Sequence, residues 1–184
     1  MEWSKININD LTDDLYSAYY SLLCPARREK VDNFKNTDDK KRTVAGELLA
    51  RRLIAKQYGI DEKEIKLLVL DGKPYIENLS AFISIAHSGD YTVCAINDTP
   101  IGIDIEKIRP INLGITKRFT EAEQEYIKSS CDNLLSLLDV WTSKEAYIKY
   151  SDKKISSYKN FDVLTLPQKT EKILFDDYIV KIIY

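Results

Sequence analysis

Three short segments of alternating residues in the middle of the chain constrain the fold more than any other feature. They run from Phe82 to Ala86, from Tyr91 to Ile96 and from Ile101 to Glu106. Two short polar turns, Ser88-Gly89-Asp90 and Asn97-Asp98-Thr99-Pro100, separate them. Strands joined by turns this short pair with their neighbours in antiparallel order, so we predict a meander of three strands.

Helical periodicity elsewhere adds helices to this sheet. One face of a helix is marked by Val44, Leu48, Leu49 and Leu53. Other predicted elements are a helix from Leu11 to Leu23, a capping box at Thr120 to Glu123, a helix from Leu134 to Tyr150, a strand from Ile65 to Leu70, and two or three strands at the end. Together they predict an α+β fold with mainly antiparallel sheets.

Composition and charge exclude several function classes. The 184 residues include 27 lysines and arginines and 29 aspartates and glutamates, a net charge of −2. Without an overall basic excess, nucleic acid is not a predicted partner. Apolar runs such as Leu67 to Leu70 fall far short of the roughly 20 residues of a membrane helix, and the first residues lack a signal-peptide pattern. We therefore predict no membrane association.

Cysteine and histidine usage indicates the cellular compartment and limits the choice of metal. Cys24, Cys94 and Cys131 form no CxxC pair and no disulfide framework, which is typical of a reducing cytoplasm. His87 is the single histidine, and the four residues lack local ligand spacing, so a Cys/His zinc site is strongly disfavoured. Carboxylates are then the expected metal ligands, and they favour magnesium, calcium or manganese.

Two carboxylates on the third strand mark a candidate site. With simple hairpin register, Ala86, Tyr91 and Glu106 form one row on one face of the meander, and Ser84, Val93 and Asp104 form the next, while the isoleucines and Cys94 form the core face. Asp104 and Glu106 then lie about 7 Å apart. They can share one hard cation. A solvated strand face with two incidental acids fits this spacing as well.

A second acidic site lies on a predicted helix that begins near Trp141. Glu145 and Lys149 are spaced i, i+4, so they can supply a third carboxylate and a cation for developing negative charge. The same spacing also fits an ordinary ion pair on a helix face. Thr142 to Glu145 also matches a capping box.

Histidine and basic residues offer further candidates. His87 can donate to a phosphate or act as a base, or it can be structural. A His87/Cys94 nucleophilic dyad is disfavoured because Cys94 is predicted on the core face. The segment from Ala26 to Lys56 has ten basic and five acidic residues. Such a patch suits a small anionic ligand, or is only a solvated helix face.

Several ordered blocks resemble the surfactin-type 4′-phosphopantetheinyl transferases, from about residue 25 to residue 165. They are Pro25-Ala26-Arg27-Arg28-Glu29-Lys30 with Phe34; Arg42-Thr43 with Gly46 and Arg51; Gly72-Lys73-Pro74; Ile85-Ala86-His87-Ser88-Gly89; Pro100-Ile101-Gly102-Ile103-Asp104-Ile105-Glu106; Lys117-Arg118-Phe119; and Trp141-Thr142-Ser143-Lys144-Glu145-Ala146-Tyr147-Ile148-Lys149. Each block alone is weak, and their joint order is specific.

The resemblance implies two similar α/β halves related by a pseudo-twofold, here residues 1–106 and 107–184, with coenzyme A in the cleft between them. It implies a Mg²⁺-dependent enzyme, with Mn²⁺ as an alternative metal, that transfers 4′-phosphopantetheine from coenzyme A to a serine of an apo carrier protein or carrier domain. The other product is 3′,5′-ADP. Two halves in one chain make a monomer sufficient.

The resemblance also assigns roles to residues. Asp104, Glu106 and Glu145 would hold the metal, and Glu145 would also accept the serine proton. Lys149 would stabilise or protonate the leaving phosphate. Contacts to the coenzyme A phosphates would come from Arg27, Lys30, Arg42, Thr43, Lys73 and His87.

Two departures from the family pattern affect these expectations. The family commonly has serine before the histidine, where this chain has Ala86. We therefore predict weaker coenzyme A binding by about 1 kcal/mol, the usual value of one hydrogen bond. The chain also ends near the strand from Tyr178 to Tyr184, so the second half is expected to lack an edge strand.

Two other functions remain compatible with the residues. The first is a catalytically weak or inactive protein that binds coenzyme A or a carrier. The second is a magnesium-dependent phosphohydrolase on an unrelated fold, which accounts for the acids but not for the ordered blocks. The sequence does not identify the carrier, although Lys117 and Arg118 would suit an acidic one.

Overall fold

The structure is a computed structural model that describes residues 1–151 and 158–184. Its backbone contacts divide the chain into two compact units, Met1–Ile101 and Gly102–Tyr184. No helix in these ranges is long and apolar enough to cross a bilayer. Each unit combines helices with antiparallel strands, which confirms the predicted α+β class.

The first unit is built around one three-stranded sheet and a long helix. Its elements are β1 (Glu2–Asn7), α1 (Asp13–Ser21), α2 (Pro25–Asn33), α3 (Thr37–Tyr58), β2 (Leu67–Leu70), β3 (Lys73–Ile76), β4 (Phe82–Ser88) and β5 (Tyr91–Asn97). The sheet order is β1-β5-β4, and β2 and β3 form a separate two-stranded hairpin.

Helix α3 supplies more core residues than any other element of the first unit. Its predicted apolar face is confirmed, because Val44, Leu48, Leu49 and Leu53 are all buried. The Asn36 side chain caps the helix by accepting a hydrogen bond from the Asp38 amide. These leucines pack with Ile96 and Cys94 of β5 in one apolar cluster. The prediction that Cys94 faces the core is thus confirmed.

The hairpin of β4 and β5 has a register different from the predicted one. Ala86 pairs with Val93 rather than with Tyr91, and Ser88 pairs with Tyr91. The reason is a two-residue turn in place of a longer one, which Gly89 permits with its φ of 52°. The shift is two residues, so each side chain stays on its predicted face.

The second unit repeats this arrangement with different helices. Its elements are β6 (Gly102–Lys107), α4 (Glu121–Ser129), α5 (Asn133–Ser151), β7 (Thr170–Phe175) and β8 (Tyr178–Ile183). The sheet order is β6-β8-β7, with both pairs antiparallel. The capping box that opens α4 at Thr120 and Glu123 is confirmed.

The predicted meander is wrong in its last strand. Strand β6 pairs with β8, not with β5. Strand β5 already has β1 on one side and β4 on the other, so no edge of it is available to a third partner. The acids of β6 therefore lie in the second sheet, and the predicted rows that join them to Ala86 and Val93 do not form.

The two sheets correspond strand for strand. In each sheet, the second strand of a hairpin is central and an earlier strand pairs with its other side. In the described residues, the second sheet therefore has as many strands as the first, including both edge strands. The division after Ile101 also assigns β6 to the second unit, whereas the boundary predicted after Glu106 assigns it to the first.

Helix α5 confirms the helix predicted from Leu134 to Tyr150, whereas the predicted start of the acid–lysine helix near Trp141 is wrong. It starts at Asn133, so Thr142 to Glu145 is helix interior and not a capping box. The Thr142 and Ser143 hydroxyls donate instead to carbonyls one turn back, Leu138 O at 2.6 Å and Asp139 O at 2.7 Å.

Candidate active site

Strand β6 and helix α5 approach each other closely because of Gly102. A Cβ atom at Gly102 would collide with the carbonyl oxygen of Ala146 and lie 2.6 Å from the Tyr150 amide nitrogen. Both of these are backbone atoms of α5, so neither can rotate away. Asp104 and Glu106 follow Gly102 on the same face of β6, since alternate strand residues share a face. Both carboxylates are thereby brought against α5.

The facing residues of α5 are Glu145 and Lys149, and we call Asp104, Glu106 and Glu145 together the acid cluster. The Lys149 ammonium donates to Asp104 Oδ1 at 2.7 Å and to the Ile103 carbonyl at 3.1 Å. Asp104 is only 7% exposed, whereas Glu106 and Glu145 are partly exposed. The structure therefore places Asp104 in contact with Lys149, with Glu106 and Glu145 close enough for their charges to act on Asp104.

Asp104 is the most perturbed acid of this cluster. Burial raises the pKa of its carboxyl to about 6, the Lys149 ammonium opposes this rise, and the charges of Glu106 and Glu145 add to it. Its Oδ2 atom is buried without a hydrogen-bond partner in the described residues. A buried oxygen without a donor is costly, and a bound cation is one physical explanation for it.

Two aromatic residues, which the sequence did not single out, hold the other two acids. The Trp141 indole donates to Glu106 Oε1 at 3.0 Å, and the Tyr158 hydroxyl donates to Glu145 Oε1. Burial and the bond to Glu145 raise the pKa of Tyr158, so its hydroxyl stays protonated and keeps donating. Trp141 lies one turn before Glu145, a spacing that could have indicated it, whereas nothing local marks Tyr158.

The acid cluster is not arranged as a ready metal site. Across residues 1–151 and 158–184, no three histidine, cysteine or acidic side chains converge in positions that could hold an ion. One oxygen of each acid already accepts a protein hydrogen bond. The free Oδ2 of Asp104 fits a cation ligand, and the other two acids would have to turn toward it.

A cleft of about 420 Å³ opens beside the cluster within the second unit. Glu106 and Trp141 line it together with the basic residues Lys107, Arg109 and Arg118. The Arg118 guanidinium also lies 5.1 Å from the centre of the Tyr158 ring. The cleft thus joins one acid of the cluster to a basic surface.

Among the predicted phosphate-binding residues, Arg27 points inward. It is 9% exposed, its Nε lies 3.5 Å from Glu47 Oε2, and its Nη2 donates to the Thr43 carbonyl at 3.1 Å. Glu47 is itself fully buried and also pairs with Arg51 at 2.7 Å. This geometry favours a positioning role for Arg27 beneath Thr43 over a direct phosphate contact.

Arg42 and Thr43 lie beside the turn that follows His87. The Arg42 Nε donates to the Gly89 carbonyl at 2.8 Å, and one Nη donates to Asp39 at 2.6 Å. Exposed His87 lies on β4 opposite Thr92, whose hydroxyl donates to the Arg42 carbonyl at 3.4 Å. The start of α3 and the β4–β5 hairpin are therefore held together.

The remaining two predicted residues are separate from this group. Lys30 is exposed on α2, with its ammonium 5.7 Å from the centre of the Phe34 ring. Lys73 begins β3, in the two-stranded hairpin that packs beside β4.

Comparison with known proteins shows the family of the chain. A family model described as "4′-phosphopantetheinyl transferase, N-terminal" matches residues 10–99, and one described as "4′-phosphopantetheinyl transferase superfamily" matches residues 100–178. The chain is 36% identical over 151 residues to the 4′-phosphopantetheinyl transferase Sfp of Bacillus subtilis, covering 79% of this chain and 67% of that protein. The chain belongs to the 4′-phosphopantetheinyl transferase superfamily.

Other relatives carry similar names. A 4′-phosphopantetheinyl transferase of Bacillus subtilis is 39% identical over 135 residues, which are 71% of this chain and 60% of that protein. An L-aminoadipate-semialdehyde dehydrogenase-phosphopantetheinyl transferase of Rattus norvegicus is 34% identical over 145 residues, 68% of this chain and 47% of that protein. The chain thus spans about two thirds or less of the length of these phosphopantetheinyl transferases.

Proposed function

We propose that this chain transfers the 4′-phosphopantetheine group of coenzyme A to a serine hydroxyl of an apo acyl or peptidyl carrier protein, and releases 3′,5′-ADP. The observation that carries the proposal is the junction of β6 and α5, where Lys149 bonds Asp104 among three carboxylates. The names of the relatives support the same reaction. The reaction forms an O–P bond from the serine to the phosphate of the pantetheine arm and breaks the P–O bond to 3′,5′-ADP.

Glu145 is the proposed proton acceptor for the serine. Its carboxylate is partly exposed at the cluster, and only Oε1 accepts from Tyr158. Glu145 would take the serine proton directly or through a water molecule, a contribution of about 10²- to 10⁴-fold in typical enzymes. Lys149, one turn further along α5, would then stabilise or protonate the leaving phosphate.

Mg²⁺, with Mn²⁺ as an alternative, would be held by Asp104, Glu106 and Glu145. The buried Oδ2 of Asp104 supports this assignment, because it has no hydrogen-bond donor among the described residues. Oxygen ligands of this kind are those that both metals prefer. When bound, the metal would neutralise charge on the pyrophosphate. Lys149 would neutralise Asp104 before the metal binds.

The basic residues of the first unit are the proposed contacts to the coenzyme A phosphates. Lys30, Arg42, Lys73 and His87 supply cations or donors, and Thr43 supplies a hydroxyl. Arg27 would act from beneath, since it bonds the Thr43 carbonyl and pairs with buried Glu47. Guanidinium and ammonium groups suit phosphate oxygens because charge-assisted hydrogen bonds are the strong ones.

The proposed carrier is an acidic protein that meets the exposed residues Lys117 and Arg118. Charge reversal at Lys117 separates docking from chemistry, because Arg118 also lies over the Tyr158 ring. We expect Lys117→Glu to raise the KM for the carrier several-fold and to leave the KM for coenzyme A unchanged. An unchanged carrier KM would rule out electrostatic docking at this position.

Intact-protein mass spectrometry tests the proposed activity. Apo carrier protein is mixed with this chain and coenzyme A, with Mg²⁺ or with a chelator, beside a Glu145→Ala variant. We expect the carrier to gain the mass of one phosphopantetheine only with Mg²⁺ and only with the unaltered chain.

No gain on several carriers, with coenzyme A still bound, would instead support a binding protein without turnover. The absence of a ready three-acid metal group in the described residues is the observation that favours this second function. Consumption of coenzyme A without any carrier would point to a phosphohydrolase.

A further inference from the structure

A lysine lies in a strand of the second unit that is otherwise part of its apolar core. Lys181 is on β8, the central strand of the sheet, between Val180 and Ile182, and all six residues of this strand are buried. Lysine is almost never buried in this way unless it has an acidic partner. Because Lys181 is only 9% exposed, its ammonium group needs a carboxylate within the unit.

That carboxylate belongs to Asp139, in the second turn of α5. Its Oδ1 lies 2.6 Å from the Lys181 ammonium, and its Oδ2 accepts a hydrogen bond at 2.9 Å from Lys172 on the neighbouring strand β7. The side chains of Asp139 and Lys181 are 14% and 11% exposed, whereas that of Lys172 is 37% exposed. The Asp139–Lys181 pair is therefore shielded from water, and Lys172 is the partner that water can reach.

The same row of the sheet also holds α5 near its other end. Asp104 on β6 pairs in register with Lys181, which pairs in register with Lys172. Asp104 accepts a hydrogen bond from Lys149 of α5 at 2.7 Å. Asp139 and Lys149 are ten residues apart, which is about 15 Å along the helix axis. Ion pairs thus attach α5 to one row of the sheet at two separate points.

Two attachments fix a helix more completely than one. Burial of apolar surface has no preferred direction, so a helix with a single ion pair can still pivot about that pair over an apolar sheet. A second pair about 15 Å away fixes both the angle of the helix and its position along its axis. Glu145 lies between the two pairs on α5, so its distance from β6 depends on both of them.

We propose that Asp139 and Lys181 are positioning residues that set the place of α5 over the sheet, and thereby align Glu145 and Lys149 with the serine hydroxyl and the leaving phosphate. This role rests on the proposed transferase function, because that function gives the two residues a reaction to be aligned for. Asp139 and Lys181 would act through the helix and not by contact with a reactant. Apolar residues of similar size often replace a buried ion pair without loss of stability. The contribution of this pair would therefore be a unique helix position.

An apolar replacement separates helix position from stability. Asp139→Leu combined with Lys181→Met fills the same space and leaves no charge buried, so this double variant should keep the urea midpoint of the unaltered chain. Lys172, which loses its partner in the double variant, is exposed enough to be hydrated. Lys172→Met is the matched control, because Lys172 bonds the same carboxylate from the exposed side.

Two measurements on the full chain report the position of α5. Steady-state transfer to a carrier gives kcat and the KM for coenzyme A. Trp141 fluorescence, recorded without coenzyme A, carrier or divalent cations, needs no catalysis. The Trp141 indole donates from α5 to Glu106 on β6, so a shift of the helix changes its surroundings. All proteins carry Trp3→Phe, which removes the emission of the other tryptophan.

We expect the double variant to lose about 10- to 100-fold in kcat, as small displacements of reacting groups do in other enzymes, with an unchanged KM for coenzyme A. Its Trp141 emission maximum should shift, while Lys172→Met should leave kcat and emission unchanged. If the double variant does not fold, Asp139→Asn decides in its place, because it keeps the size of the side chain and weakens the ion pair. A several-fold lower kcat and a smaller emission shift are then expected.

The outcomes separate this role from the proposed function. Unchanged kcat and emission in the folded variant would overturn the positioning role, even if the chain is an active transferase. Loss of kcat with unshifted emission would also overturn it, because α5 would not have moved. An equal emission shift in Lys172→Met would do the same, since the exposed partner would then matter as much as the buried one. A shift in the double variant alone would support the role, even if no carrier is modified by any of the proteins.

Discussion

Each unit of the molecule has an acidic residue four positions before a basic one on its longest helix, and the two pairs behave differently. On α3, Glu47 and Arg51 bond each other at 2.7 Å, and both side chains are almost completely buried. On α5, Glu145 accepts from Tyr158, and Lys149 donates to Asp104 at 2.7 Å. The spacing is the same, and the partners are not.

The difference comes from the strand that each helix faces. The first strand of the second unit, β6, carries Asp104 and Glu106 toward α5, so Lys149 finds a carboxylate there and leaves Glu145 to another donor. Around Glu47 the neighbours are two arginines, Arg27 and Arg51, whose charges pair with it inside the protein. An i, i+4 pair therefore indicates structure or chemistry only once the opposite surface is known.

The largest effect is expected from Glu145→Gln. This change keeps the size of the side chain and removes its capacity to accept a proton, so kcat for carrier modification should fall by about 10²- to 10⁴-fold. The thermal unfolding midpoint should change little, because the side chain is partly exposed. A stable variant with full activity would show that Glu145 has no catalytic role, and the acid on α5 would then resemble Glu47 on α3.

Glu47→Gln should have the opposite phenotype. It leaves Arg27 and Arg51 buried without their shared carboxylate, and breaking a buried ion pair in this way typically costs about 3–5 kcal/mol. Urea unfolding should report the loss in stability, while transfer per folded molecule should stay near that of the unaltered chain. If Glu47→Gln loses catalysis and keeps its stability, Glu47 has a catalytic rather than a structural role.

Removal of divalent cations should expose the cost of burying Asp104. Because its pKa is raised from 3.8 to about 6, its contribution to stability is present at low pH and is lost as the pH rises through about 6. Without metal, the unaltered chain should therefore lose up to about 3 kcal/mol relative to Asp104→Asn between about pH 4 and about pH 7. Urea unfolding in chelator at several pH values measures this difference.

Parallel stability curves for the two proteins would show that Asp104 is not destabilised in the folded state. Mg²⁺ offers a second check at neutral pH, where it should stabilise the unaltered chain more than Asp104→Asn.

The smallest effect is expected in the first unit, at Ala86. Ala86→Ser restores the residue that the family commonly has before the histidine, and one hydrogen bond of about 1 kcal/mol corresponds to about fivefold tighter coenzyme A binding. Isothermal titration calorimetry measures this affinity. Ala95→Ser is the control, because Ala95 is also buried on the same face of the sheet. Equal coenzyme A affinities for the unaltered chain and the two variants would show that Ala86 does not weaken binding.

Local patterns predicted most of the helices and strands. The apolar face of α3, the capping box of α4 and the core position of Cys94 follow from periodicity and side-chain chemistry within short windows. The meeting of Asp104 with Lys149 follows from the family resemblance, because spacing alone left ordinary alternatives open.

Long-range pairing was not predictable in the same way. Strand β6 was predicted beside β5 because the turn between them is short, but β1, nearly a hundred residues earlier, already occupies that edge. Tyr158 likewise reaches Glu145 from a short 3-10 helix, Tyr158–Asn160, that Lys144 anchors, and a helix of three residues leaves no periodic pattern in the sequence. Competition for a strand edge and anchoring of a short helix are both decided by tertiary structure.

Gly102 has a consequence for how this protein can change. The close approach of β6 to α5 depends on the lack of a side chain at position 102. A library of random variants should therefore report position 102 as intolerant, alongside acids and a lysine with obvious chemistry. Every other amino acid carries a Cβ atom, so glycine alone among the twenty leaves the gap through which β6 and α5 meet.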